Sequence, residues 1–214
     1  MYLTRMRLDT KKRETIKALM APSQFHSIIE SSYSGEREHP LWRIDHLNNN
    51  YYLMILSERK PELSSAVRRF GFSGETWEQK DYSNMLDQIT FGSKWHFRLT
   101  ANPTKSLPIK NTDENNLRCR GKVVAHVTPY YQKEWLCHKA EQCGFSLYEN
   151  EFEVVFSKWY KFKKGENTIS ILAVTFEGFL TITDVDLFRN TLCRGIGRGK
   201  AYGLGMLTVV KNYV

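Results

Sequence analysis

No stretch of this chain stays apolar over the roughly 18 residues a membrane helix needs. The N-terminus, Met1-Tyr2-Leu3-Thr4-Arg5, reads as a strand and lacks the apolar core of a secretory signal. A cytoplasmic protein is therefore expected. Cysteine is scarce: Cys119, Cys137, Cys143 and Cys193, with no CxxC pair among them. That removes the common zinc spacings and leaves Cys137, His138 and Cys143 without a second ligand pair. Reduced, partly buried thiols and no resident metal are expected. HxxxH, HExxH, GxSxG and paired-carboxylate motifs are missing, as are the Walker and Rossmann glycine fingerprints. Acid is missing too from the last part of the chain, where no Asp or Glu follows Asp186.

What is present is basic. The 214 residues carry 31 Lys and Arg against 23 Asp and Glu, a net charge of +8. Such a surplus favours a polyanionic partner. It concentrates where the acids stop, in Arg194-Gly195-Ile196-Gly197-Arg198-Gly199-Lys200-Ala201-Tyr202-Gly203-Leu204-Gly205. Glycine permits positive φ and a close approach to the main chain. Bare amides beside Arg194, Arg198 and Lys200 would suit phosphates. A tight, close-packed helix-to-strand turn explains the same run equally well.

Hydrophobic spacing gives the fold. Residues 2–8 alternate as a strand, followed by a basic loop at Lys11-Lys12-Arg13. Ser23 reads as the N-cap of a helix with Phe25, Ile28 and Ile29 on one face. Strands over 41–45 and 51–57 flank a turn at Asn48-Asn49-Asn50, and a helix over 61–70 stops at Gly71. A strand at 94–100 then closes a β-α-β-β-α-β unit. The pattern repeats: a strand at 122–127, a helix from Pro129 to about Gln142, long strands over 152–162 and 168–182, a helix over 184–193 and a last strand at 206–210. The expected fold is α+β, two tandem ferredoxin-like domains. Residues 1–105 form the first, 106–120 a linker and 121–214 the second.

Two elements are candidates for chemistry. Lys158, Lys161, Lys163 and Lys164 interleave with Trp159, Tyr160 and Phe162 near a long hairpin's tip, suited to a nucleic-acid groove or simply to blocking edge pairing. His26 falls in the first turn of its helix, where the helix dipole favours a neutral, base-competent imidazole. A plain surface histidine fits that position as well.

The chain resembles the CasE family, repeat-cleaving endoribonucleases and Cascade subunits of type I-E CRISPR systems. The resemblance rests on Met1-Tyr2-Leu3-Thr4, the helix carrying His26, and Phe97-Arg98-Leu99-Thr100-Ala101-Asn102-Pro103-Thr104-Lys105. It rests also on Phe176-Glu177-Gly178-Phe179-Leu180-Thr181-Ile182 and on Gly195-Ile196-Gly197 through Gly203-Leu204-Gly205-Met206-Leu207. It implies two ferredoxin-like domains and metal-free cleavage of repeat RNA 3′ of a stem-loop, leaving a 2′,3′-cyclic phosphate and a 5′-OH. It makes His26 the general acid or base. The family commonly has tyrosine three residues earlier, where this chain has Ser23. Ser23, Tyr33, Lys105 and Lys200 are the open alternatives for the partner of His26.

By the same resemblance the basic hairpin grips the stem. Arg194, Gly195, Gly197, Arg198, Gly199, Lys200 and Gly203 contact the RNA backbone. Expected partners are the CRISPR repeat stem-loop and other Cascade subunits, with a monomer when alone, no cofactor and no membrane. Two other readings stand beside this one. The first is a non-catalytic RNA-binding subunit of the same complex. The second is a tandem RRM-like module, which would need an RNP1 run that the sequence does not contain.

Overall fold

The computed structural model describes residues 1–35, 38–107 and 121–211. Strand β1 (Tyr2–Leu8) alternates as its sequence demands, burying Thr4, Met6 and Leu8 on one face. Two short helices follow, α1 (Arg13–Met20) and α2 (Ser23–Glu30). The predicted basic loop is thus the start of a helix: the Lys12 ammonium reaches the Arg68 and Gly71 carbonyls, and Thr15 and Ala18 turn inward. Pro22 divides the pair. Its own position serves as the cap of α2, so Ser23 is the first helical residue and makes no capping hydrogen bond.

Strands β2 (Leu41–Leu47) and β3 (Asn50–Ser57) form the predicted hairpin, with Asn48 and Asn49 at φ 48° and 60° in its turn. Helix α3 (Ser64–Phe70) ends at Gly71, as read from the sequence. Strand β4 (Glu78–Asp81) then pairs with β1, and α4 (Ser83–Asp87) follows. The sheet order β2-β3-β1-β4, antiparallel throughout, is the ferredoxin-like arrangement.

Strand β5 (Lys94–Ala101) does not close that sheet, against the expectation from spacing. It lies inside a second sheet, with β10 (Asn167–Ile182) on one side and β11 (Leu207–Lys211) on the other. Its alternating pattern buries Trp95, Phe97, Leu99 and Ala101 in the core that also holds Leu136, Phe188 and Leu192 of the helices packed on this second sheet. The expected opening strand of the second half is displaced in turn. Among the described residues, strand β6 (Thr104–Leu107) and β7 (Lys122–Ala125) pair only with each other, as a separate ribbon. Of the expected linker, Ser106 and Leu107 belong to β6, and the remainder lies outside the described residues.

The second half continues through α5 (Pro129–Gln142), β8 (Phe145–Ser146), β9 (Phe152–Lys164), β10, α6 (Val185–Arg194) and β11. Asp184 caps α6 by accepting from the Leu187 N–H. The order β11-β5-β10, with β9 and β8 along the far edge of β10, repeats the topology of the first sheet. Phe25, Ile29, Trp42, Leu53 and Phe70 fill one core, and Trp95, Phe97, Phe176, Phe188 and Leu192 the other. Among the described residues no helix is long and apolar enough to cross a membrane, and no group of His, Cys, Asp or Glu is placed to hold a metal. Cys137, Cys143 and Cys193 are free thiols, each with its pKa raised chiefly by burial; Cys119 lies outside the described residues.

One buried side chain joins the halves. Arg43, on β2, donates twice to Asp45 at 2.7 and 2.8 Å. It also donates to the Arg98 and Met206 carbonyls at 3.0 and 2.9 Å and to Thr208 Oγ1 at 3.0 Å, all in the second half. Its five donors in a planar fork match that set of acceptors.

Candidate active site

Helix α2 turns Phe25, Ile28 and Ile29 into the first core. Residues one and two places along cannot share that face, so His26 and Glu30 lie on the outer side, both half-buried. His26 Nε2 is 3.6 Å from Glu30 Oε2. The two line a groove of about 990 Å³ together with Glu38, His39, Arg189, Arg194 and Lys200. Three of the cations on this wall come from α6 and the glycine run after it, more than 160 residues from His26 in sequence.

The glycine run brings them there. Gly195 ends α6 at φ 70°, and a short 3-10 turn, Lys200–Tyr202, stands between Gly199 and Gly203, both left-handed. A methyl at Gly203 would sit 2.7 Å from the Trp42 ring, and one at Gly195 2.6 Å from the Gly205 carbonyl. The amides of Gly195 and Gly203 donate to the Thr191 and Lys200 carbonyls at 2.7 and 3.1 Å. The expectation of bare amides for phosphate therefore fails at these two positions. They shape the turn, and its side chains face outward: Arg194, Arg198 and Lys200 are exposed. Partial burial, reinforced by the neighbouring Arg194 charge, lowers the Lys200 ammonium pKa.

The basic hairpin docks against the same turn. The strand pleat splits β9 into two faces. Tyr160 and Phe162 point inward, and Phe162 meets Tyr202 with ring centroids 5.3 Å apart. Trp159, Lys161 and Lys163 point outward and are exposed. Lys158 falls on the Tyr160 face, its ammonium 4.9 Å from that ring, so the predicted lysines do not form one patch. Lys164 ends β9 opposite Asn167.

A second groove, of about 520 Å³, runs beside the outer edge of β2. Arg98, His46, Tyr51, Phe156 and Lys158 line it. The 3-10 turn separates the two grooves: Lys200 and Ala201 face the first, Tyr202 and Gly203 the second.

The other candidates for the partner of His26 stand apart. Ser23 lines neither groove. Tyr33 packs on the first core, where burial pushes its phenol up to about 12, and Arg59 lies 5.8 Å from its ring. Lys105 is on the β6–β7 ribbon with its ammonium 5.9 Å from the Tyr131 ring. Sequence reasoning missed Glu30, though its spacing of four from a helical histidine was a readable signal. It missed Glu38, His39 and Arg189 because only the packing of separate elements brings them to the groove.

The family model described as "CRISPR associated protein" matches residues 1–211. The CRISPR-associated endoribonuclease Cse3 of Thermus thermophilus is 30% identical over 223 residues, covering 98% of this chain and 99% of that one. The structure of Cse3 bound to a 19-nucleotide RNA superposes with a TM-score of 0.80 at 27% identity, covering 98% and 100% of the two chains. Thermus thermophilus Cse3 bound to an RNA representing a pre-cleavage complex gives 0.79 at 27% identity, over 98% of each chain.

Proposed function

The chain belongs to the CRISPR-associated protein family, and from that premise we propose that it is an endoribonuclease cleaving CRISPR precursor RNA within the repeat. The cut falls 3′ of the repeat stem-loop, and the protein keeps its product as a subunit of Cascade. The observation that carries this reading is the groove that sets His26 beside Arg189, Arg194 and Lys200, with the basic hairpin packed on the same glycine-run turn.

In this chemistry the ribose 2′-OH attacks the adjacent phosphorus, the P–O5′ bond breaks, and a 2′,3′-cyclic phosphate and a 5′-OH result. The nucleophile is already tethered beside its target, so positioning supplies much of the acceleration. His26 moves a proton. The basic wall of its groove faces the charge that develops on the phosphoryl oxygens. Trp159, Lys161 and Lys163 on the outer face of the hairpin meet the stem, with lysines on phosphates rather than bases because the A-form major groove is deep and narrow. The ferredoxin-like halves divide between Asp81 and Lys94 on this reading, supported by the strand pairing of β4 and β5.

The direct test is incubation with end-labelled repeat RNA in EDTA. Cleavage to a cyclic-phosphate end is expected; binding without cleavage favours a passive RNA-holding subunit instead. A companion measurement addresses the hairpin. Lys161→Ala with Lys163→Ala is expected to weaken stem-loop affinity and to make the slope of log affinity against log salt shallower by roughly 1–2, about 0.7–0.9 for each phosphate no longer neutralised. A slope equal to that of the unaltered protein removes the hairpin from the interface.

A further inference from the structure

We propose that Lys200 is the second catalytic residue, the general acid that protonates the departing 5′-oxygen while His26 accepts the 2′-OH proton. The inference rests on the endoribonuclease reading above and assigns the role that Ser23 leaves open.

Four observations support it. Lys200 lines the same groove as His26, and none of Ser23, Tyr33 and Lys105 does. Its backbone is fixed: Gly199 and Gly203 hold the turn at both ends in conformations other residues rarely adopt, and Trp42 fills the space behind Gly203. The turn packs on α2, the helix that carries His26. Finally, partial burial and the Arg194 charge lower the lysine's pKa, which makes its ammonium a better proton donor than an ordinary lysine.

The other groups in the groove fit the role less well. Arg189 and Arg194 stabilise charge but cannot release a proton in the working range. Glu38 is held below the ordinary carboxylate range, where burial is outweighed by the Arg59 side chain and backbone hydrogen bonds, and so accepts a proton rather than donating one. His39 is the chemical competitor, but it lies outside any helix or strand and lacks the fixed backbone that the two flanking glycines give Lys200.

The proton inventory closes. O2′ loses its proton to the imidazole as the O2′–P bond forms. O5′ takes a proton from the Lys200 ammonium as the P–O5′ bond breaks. The imidazolium then releases its proton to solvent, and the amine regains one, so no further reactant is needed.

A substrate with sulfur in place of the scissile O5′ tests the assignment, because a thiolate leaves without being protonated. Single-turnover rates are measured at saturating protein on normal and 5′-thio RNA, for the unaltered chain and for Lys200→Ala, Lys200→Arg, His39→Ala and His26→Ala. The melting temperature and circular dichroism of each variant report retained folding. Lys200→Ala and Lys200→Arg are expected to slow the normal substrate by about 10²-fold or more and to recover to within about tenfold of the unaltered protein on the 5′-thio substrate. His26→Ala stays slow on both.

Lys200 variants that cleave normal RNA at the unaltered rate overturn the proposal. So do Lys200 variants equally slow on both substrates, and so does rescue appearing in His39→Ala instead. Full activity in His26→Ala on normal RNA would instead bring down the underlying reading of the site.

Discussion

His26→Ala is expected to lower single-turnover cleavage of repeat RNA by at least about 10²-fold while leaving stem-loop affinity near that of the unaltered protein. The separation follows from where the residue sits. His26 is half-buried on the outer side of α2, whereas Phe25, Ile28 and Ile29 carry that helix's packing. Truncation at His26 therefore leaves the first core closed. The surfaces read as gripping the RNA, on the outer face of β9 and on the glycine-run turn, come from other elements and keep their side chains. A general acid–base group contributes about 10²–10⁴-fold in rate, and binding elsewhere does not report its loss. Rate constants and dissociation constants measured on one labelled stem-loop separate the two quantities. Unchanged cleavage would remove His26 from the chemistry.

The largest stability effect is expected at Asp45, which has no part in the proton transfers. Arg43 and Asp45 are 3% and 4% exposed, too little for water to compensate a lone charge. With Asp45 present, Arg43 spends its guanidinium on the carboxylate, two carbonyls and one hydroxyl. Arg98 Nε adds a second cation 3.4 Å from the same carboxylate. Asp45→Ala removes the acid that lies between these two arginines and leaves Arg43 buried and uncompensated. Breaking such a pair costs about 3–5 kcal/mol, and at about 2–4 °C per kcal/mol for a chain of this size the melting temperature should fall by roughly 6–20 °C. Replacing both partners by apolar residues should cost less, since no orphaned charge remains. A melting temperature for Asp45→Ala within about 2 °C of the unaltered protein would show that the charge finds water after all, an outcome set against the burial cost of an unpaired ion.

Much of the fold can be read from spacing because many elements carry their own signals. Residues 2–8 alternate, Asn48-Asn49 mark a tight turn, and Pro129 and Gly144 bracket α5. Assignment of strands to sheets is less legible, for a physical reason. Strand β4 reads Glu-Gln-Lys-Asp and has no apolar residue at all. It is a strand because β1 offers it hydrogen bonds and Arg5 pairs with Glu78 at 2.7 Å. A polar sequence of this kind gives no strand signal, and the strongly alternating β5 takes its place in the order expected from spacing. Helix α1 is hidden differently, by a basic run that reads as a loop although the Lys12 ammonium is held by the Arg68 and Gly71 carbonyls.

The site divides along the same line. His26 can be found from its place in a helix and from the family resemblance. Glu30 can be found from its spacing. Lys200 can be named as one of four open partners but not singled out, and Arg189 and His39 cannot be assembled with it, because their meeting depends on how α6 and the glycine run return to α2. Arg43 and Asp45 are two apart on a strand and so share a face, yet nothing local says that face is buried.

The central position of β5 bears on when this molecule can come into being on a ribosome. The first sheet is complete once residue 81 has emerged. Strand β5 emerges next, carrying Trp95, Phe97, Leu99 and Ala101, and finds neither of its neighbours. The first, β10, arrives some 80 residues later, as the Arg98–Glu177 pair with its separation of 79 shows. The second, β11, lies further still along the chain, at Leu207–Lys211. Throughout that interval an apolar strand with two open edges is exposed, a recognised hazard for mispairing and for chaperone capture. The rivet at Arg43 must wait as well, because its acceptor on Met206 lies 163 residues downstream. The strand that closes the second sheet and the contact that locks the halves together therefore form only after residues 206–211 have been made.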